Sequence, residues 1–377
     1  MQPPRPPASL SFPSSCSDST ACDKHLSLCL YLRLSTMTLS VPNFDDLPPV
    51  EGQPKGFAWG VFDKDGQKDK LGTLNFLTPD VVKAAAAEIK DGISVSLNWP
   101  LNGLKFPLPG RNLTTHTAHK LTPSTMGVDG WDDELTFNTQ ISSQWDSLCH
   151  FVHSPSSESP GTTYNGFQPT KESLEVPFTH LNPNPTIDHW HARGGVVGRG
   201  VLIDYKSWVE STTGVAYHPL DGHRITISEI EEIAKYQGVE FKEGDVLIVR
   251  TGYTDMLAAP TPEDFAKFAA QTLSGVHGTQ ETVRWVWDKR ISAVAGDAHA
   301  FEALPPLKED GSVGTVADLY LHRWFLNGLG MPIGELWDLK ALIEQCKKLG
   351  RYSFFLTSAP LNHPGLVGSP PNALAIF

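Results

Sequence analysis

An α/β protein is expected from three features of the chain. Helical patterns and β-branched runs alternate along most of its length, glycine and proline mark the connections, and no segment repeats at a fixed period. The stretch TPDVVKAAAAEIKDG (78–92) opens with Thr78 as an N-cap and Pro79 in the first turn and reaches Gly92, which predicts a helix. ISVSLNW (93–99) alternates apolar and polar residues like a strand. GVVGRGVLIDY (195–205) and GDVLIVRTGY (244–253) are β-branched runs bounded by glycine. Between them, SEIEEIAKYQG carries a capping-box pair, Ser228 with Glu231, and predicts a helix. TQETVRWVWDKR (279–290) predicts a helix leading into the strand ISAVAGD (291–297). ELWDLKALIEQCKKLG (335–350) predicts a helix ending at Gly350, and YSFFLTSAP (352–360) a last strand.

Bulk composition limits the function. Apolar residues are 40% and charged residues 19% of the 377 positions, which suits a globular chain. A net charge of −12 repels phosphate backbones, and no basic stripe offsets it, so nucleic acid is not expected as a partner. No apolar run approaches the ~20 residues of a membrane-spanning helix. The five cysteines lack a CxxC pattern and read as reduced thiols of a cytoplasmic protein. Residues 1–36 are rich in Ser, Pro and Cys and precede Met37. Their short apolar run is broken by Arg33 and lacks a small-residue cleavage pattern, so they are expected to be a disordered or spurious extension. Residues 37–377 are expected to form one domain.

Chemistry is concentrated in TQISSQWDSLCHFVHS (139–154), which holds Gln140, Gln144, Asp146, His150 and His153. In an extended segment Gln144 and Asp146 face the same side. A helical turn starting at Asp146 would bring it to His150. The pair suits metal binding or proton transfer, and equally suits a capping carboxylate beside an ordinary histidine. His322 and Glu335 form a second candidate pair, with a surface helix bearing ordinary charges as the alternative. Asp297, His299 and Glu302 follow a predicted strand, where ligand sites often lie, although Asp297 also suits a cap. His116 and His119 lie in a polar loop. His189 and His191 have ligand-like spacing if extended, and otherwise belong to a loop.

Taken together, several segments resemble the cyclase family that includes bacterial kynurenine formamidase and isatin hydrolase. Its hallmark is H-x-G-T-H-x-D-x-x-x-H. With Asp146 on the Asp of that pattern, Gln140 and Gln144 take the first two His positions, Ser142 and Ser143 the Gly-Thr, and His150 the last His. The variant TQxSSQWDxxxH resembles the form of fungal members. The segments WHARGGVVGRGVLIDY, GDVLIVRTGYTDML, GDAHAFEALPP, LHRWFLNGLGMPIGELWDL and the ending FFLTSAPLNHPGLVGSPPNALAIF support the resemblance over roughly residues 45–377.

The resemblance implies a swivelling β/β/α domain, usually a homodimer, and metal-assisted hydrolysis of an amide, lactam or lactone in a small aromatic or cyclic molecule. It implies metal-ligand positions at Gln140, Gln144 and Asp146, and proton-transfer positions at His150, His322 and Glu335. A divalent metal, Mn²⁺ or Zn²⁺, is the implied cofactor. Two amides in place of imidazoles weaken a Zn²⁺ site and leave either a Mn²⁺-like ion or none. Trp145, Phe151, Trp59, Trp131 and Tyr164 are the aromatic residues expected to line the pocket. A metal-free cyclase or dehydratase, and a non-catalytic small-molecule-binding dimer, are the alternatives.

Overall fold

Among the described residues, thirteen strands follow one another. They are β1 (Ser94–Ser96), β2 (Thr115–Leu121), β3 (Gly130–Thr136), β4 (Gln144–Asp146), β5 (Val196–Asp204), β6 (Arg224–Ile225), β7 (Val246–Arg250), β8 (Gly275–Val276), β9 (Ala293–Gly296), β10 (Ile333–Glu335), β11 (Ser353–Ser358), β12 (Gly368–Ser369) and β13 (Ala373–Ile376). The computed structural model describes residues 40–106, 110–154, 160–175, 180–214, 216–268, 270–308 and 310–377. The extension expected over residues 1–36 lies outside them.

Nine strands build one mixed sheet in the order β1-β13-β11-β5-β7-β9-β10-β4-β12. Its centre, β5-β7-β9-β10, is parallel. The remaining pairs are antiparallel. Strands β5 and β7 are the β-branched runs legible in the sequence and β9 lies in the strand expected over 291–297; all three are almost wholly buried, as parallel strands covered by helices require. This is the α/β class expected.

Element boundaries depart from expectation where tertiary contacts intervene. Thr78 does cap the first helix, accepting from Val81 N, but the α-helix ends at Ala85 and a 3-10 turn follows over Ala86–Glu88. The amides of Asp91 and Gly92 instead donate to the carbonyl of Phe377, which ties this connection to the last strand. The helix Ile227–Tyr236 starts two residues earlier than Ser228 implied, because Thr226 and Glu229 form the capping box. The predicted helix 335–350 begins only at Lys340; Glu335 itself lies on β10. His189 and His191 sit on a short helix, Ile187–Ala192, rather than on a strand or loop.

Trp145, Trp190 and Trp337 are fully buried and meet edge-on, with ring centroids 6.1 and 5.0 Å from Trp145. The Trp145 indole N–H donates to Ser358 Oγ at 2.9 Å. This tryptophan is therefore a core anchor, and its expected role as pocket lining is corrected. Trp145→Ala should cost roughly 3–5 kcal/mol through lost burial and the cavity left behind. Urea unfolding checks this, and an unchanged midpoint would contradict it.

Candidate functional site

Strand alternation separates core from site. On β4 the side chain of Trp145 points into the tryptophan cluster, so Gln144 and Asp146 point to the opposite face. Strand β10 runs antiparallel to it, with Glu335 opposite Gln144 and Ile333 opposite Asp146. Directly opposed side chains share a face, so the register brings Glu335 to Gln144. Gly334 is needed between them, because a Cβ there would stand 2.7 Å from Ala295 Cβ and 2.8 Å from Trp337 Nε1. Ser143 fastens the neighbourhood, accepting from Trp99 N and donating to Leu336 O, both at 2.6 Å.

The two glutamines connect two carboxylates. Gln140 Nε2 donates to Asp146 Oδ1 at 2.5 Å. Gln144 Nε2 donates to Gln140 Oε1 at 2.6 Å and to Glu335 Oε2 at 2.7 Å. Because carboxylates only accept, this chain fixes which end of each amide is nitrogen. Gly368 on β12 leaves room for it, since a Cβ there would lie 2.6 Å from Gln140 Nε2. All four side chains are buried. Three oxygens, Gln144 Oε1, Asp146 Oδ2 and Glu335 Oε1, are buried without a hydrogen-bond partner.

His322 closes the cluster. It opens a π-helical segment, His322–Leu329, and its Nδ1 lies 2.9 Å from Glu302 Oε1. Its Nε2 lies 3.2 Å from Glu335 Oε1 as an ion-pair contact without hydrogen-bond geometry. Glu302 also accepts from the backbone N–H groups of Tyr320, Leu321 and His322, so one carboxylate caps the segment and orients the imidazole. Burial opposes charge on His322, but Glu302 and Glu335 outweigh it and hold the imidazole up at about 10. Burial, reinforced by Asp146, pushes the Glu335 carboxyl up, with His322 pulling the other way. His150 Nε2 lies 3.9 Å from Asp146 Oδ1, and burial pushes His150 down despite that carboxylate. The chain reaches His150 through a strand end and a tight turn, His150 N donating to Ser147 O, rather than through the helical turn suggested by the spacing.

Asp146, His322 and Glu335 each present a ligand atom within 4.8 Å of the others, a set able to hold a metal ion. The proton-transfer positions His150, His322 and Glu335 thus gather with Gln140, Gln144 and Asp146. The aromatic residues mostly do not. Phe151 packs at the site, its ring 5.7 Å from that of His322. Trp131 is 66% exposed on the β2–β3 hairpin, beneath the Lys120 ammonium. Tyr164 is buried, with its hydroxyl on Asp69 Oδ2. Trp59 packs against Phe57 and donates to Asn327 O. Pocket lining by Trp59, Trp131 and Tyr164 is therefore corrected to structural or surface roles.

The other polar candidates scatter. His116 and His119 pair with Asp133 and Glu134 on the exposed hairpin, and His189 contacts Asn182 O. Asp297 accepts from Thr251, Gly252 and Tyr253 backbone amides and caps the helix Tyr253–Ala258. Two residues outside the implied metal-ligand and proton-transfer positions join the cluster. Glu302 orients His322, and Arg111 reaches Gln140 O at 3.4 Å and acts electrostatically on His150 and Glu335. The residues beside Glu302 and Glu335, Phe301 (φ 56°) and Leu336 (φ 53°), both hold left-handed backbone, a local strain that marks this corner.

A family model described as putative cyclase matches residues 112–303, more than half of the chain. The chain belongs to the putative cyclase family. Among solved structures, one described as a novel cyclase is 28% identical, with a TM-score of 0.70 over 85% of this chain and 99% of its own. Isatin hydrolase A from Labrenzia aggregata, solved bound to benzyl benzoate, is 16% identical, with a TM-score of 0.51 over 80% of this chain and 98% of its own, a likeness of fold. No curated protein matches the chain. No helix among the described residues is long and apolar enough to cross a membrane.

The cyclase-family chain offers a direct check on the role of Glu302. With His322 raised from 6.5 to about 10, its charge stabilises the fold fully below pH 6.5, and that contribution is lost as pH rises through 10. In chelator-treated protein, Glu302→Gln should therefore destabilise most near pH 6, by about 3–5 kcal/mol, with the gap narrowing toward pH 10. Urea unfolding at a series of pH values measures it. A gap independent of pH would show that Glu302 does not hold the imidazole charged.

Proposed function

We propose that the chain is a hydrolase that opens an amide, lactam or lactone bond in a small aromatic or cyclic compound. The observation that carries this reading is the buried cluster in which Asp146, Glu335 and His322 converge while three acceptor oxygens remain without a hydrogen bond. Hydrolysis needs a group to take a proton from water and another to return one to the leaving atom. His150, kept neutral by burial beside Asp146, suits the first task. Glu335, raised by burial, suits the second, because a carboxyl that titrates closer to neutrality can both hold and release a proton. The His322 imidazolium, fixed by Glu302, suits stabilisation of a developing oxyanion. Gln140 and Gln144 hold the two carboxylates apart from each other and in register.

The residues fit a hard divalent cation such as Mn²⁺ better than Zn²⁺, because the unpartnered donors are all oxygens. Asp146, Glu335, Gln144 and His322 would hold it, His322 after losing its proton. Bound there, the ion would supply Lewis-acid polarisation of a carbonyl and a more acidic water. A second reading, metal-free cyclisation or dehydration, is favoured by the glutamine amides, which already bridge the carboxylates a cation would bridge. The proposed working form takes a small-molecule substrate and pairs as a homodimer in the cytoplasm.

The test is turnover of aromatic lactams and lactones alongside metal content by elemental analysis. Asp146→Asn should lower kcat/KM by about 100-fold or more. Loss of activity on chelation, restored by Mn²⁺, supports the metal-assisted form. Activity that survives chelation but requires His150 supports the metal-free one. Full activity in both Asp146→Asn and His150→Gln would remove this cluster from the chemistry.

A further inference from the structure

The positive charge of His322 is already matched. Its imidazole stands between Glu302 Oε1 at 2.9 Å and Glu335 Oε1 at 3.2 Å. Arg111 is a cation in a different position. It is half-buried, and its guanidinium makes one long hydrogen bond, from Nη1 to Gln140 O at 3.4 Å. Among the described residues it forms no ion pair, whereas buried Arg199 and Arg250 hold Asp245 and Asp204 at 2.9 and 2.8 Å. A guanidinium carries five N–H donors in a planar fork, so most of those on Arg111 stay unspent.

The chain after Arg111 is pinned beside the cluster. Leu113 packs on the apolar group that contains Ile141 and Leu336, the neighbours of Gln140 and Glu335. Thr114 Oγ1 donates to Leu101 O at 2.7 Å. The residue that Arg111 touches, Gln140, itself holds Asp146 Oδ1. Burial is the main influence on His150, His299 and Glu335, and the Arg111 charge acts on all three, favouring the neutral imidazoles and the ionised carboxylate.

Hydrolysis gives such a cation a task. The oxygen of water bonds to the acyl carbon, and the bond to the leaving nitrogen or oxygen breaks. One water proton goes to the leaving atom, and the other is released as the new acid ionises. Whatever group the acyl carbon bears, the product is a carboxylate. Asp146 and Glu335 share the cluster and repel a third carboxylate beside them. A planar, permanently charged fork with unspent donors matches a carboxylate in shape and charge.

We propose that Arg111 is the anion-binding residue of this site, pairing with the carboxylate that hydrolysis produces and holding it against the repulsion of Asp146 and Glu335. The inference rests on the hydrolase reading for the origin of that carboxylate, but anion binding can be measured without turnover. Benzoate and benzamide, alike in shape and different in charge, are titrated calorimetrically into the full chain near neutral pH. The wild type should bind benzoate at least about tenfold more tightly than benzamide, a difference of about 1.4 kcal/mol. Arg111→Gln, which keeps a donor for Gln140 O, should remove that preference and leave benzamide unchanged. Arg111→Lys should keep part of it. Asp146→Asn, which removes a like charge from the cluster, should tighten benzoate and not benzamide, placing the anion beside Asp146. Circular dichroism shows whether each variant is folded. Equal affinity for the two probes in the wild type, a benzoate preference that survives Arg111→Gln, a benzoate affinity indifferent to Asp146→Asn, or no benzoate binding overturns the assignment. Where the wild type turns over a lactone, benzoate should inhibit it, and Arg111→Gln should raise the inhibition constant about tenfold. Turnover with inhibition unchanged by Arg111→Gln overturns the assignment while leaving the hydrolase reading intact. Arg111-dependent benzoate binding without turnover of any lactam or lactone supports the anion site and counts against the hydrolase reading.

Discussion

Everything at the candidate site depends on the register between β4 and β10. That antiparallel pair sets Glu335 opposite Gln144 and, by alternation, sends Trp145 into the core. A one-residue slip would exchange the two faces, burying a carboxylate among tryptophans and exposing an indole to the site. The tryptophan cluster, the close-packed Gly334 and the Ser143 brace all hold the same register. Core packing and site geometry are thus two consequences of one strand pairing.

The site concentrates costly features. Four acidic side chains or their amide counterparts are buried together, several acceptor oxygens lack partners, and Phe301 and Leu336 carry left-handed backbone. Each feature opposes folding unless the surroundings enforce it. The enforcing structure is visible in Glu302, whose four accepted contacts at Tyr320, Leu321 and His322 lock the start of the π-helical segment. The glutamines play a comparable part. Their amide hydrogens reach one oxygen each of Asp146 and Glu335, two carboxylates that would otherwise repel each other across the cluster.

Much of this was legible in the sequence, for identifiable reasons. The parallel strands β5 and β7 stand out as β-branched runs between glycines and β9 as the strand after a predicted helix, and Thr78, Thr279 and Gly350 mark helix ends as their chemistry predicts. The convergence of Gln140, Gln144, Asp146, His150, His322 and Glu335 followed from the family pattern, not from spacing, because β10 is 189 residues beyond β4 by its first residues and only tertiary pairing joins them. Glu335 looked helical because the true helix begins five residues later and the three-residue strand before it has no periodicity to read. Aromatic residues near the motif were poor guides to the pocket, since adjacency in sequence puts Trp145 on the opposite face of its strand from Asp146. Glu302 was visible in GDAHAFEALPP, but its partner lies 20 residues on, and no local pattern names it.

The proton transfer proposed for Glu335 is checked by kcat/KM of Glu335→Gln against an aromatic lactone. The substitution keeps the side-chain shape and an acceptor for the Gln144 amide while removing the titrating carboxyl. The variant should fold, and its kcat/KM should fall by about 100-fold or more. A folded Glu335→Gln protein with wild-type kcat/KM would contradict it.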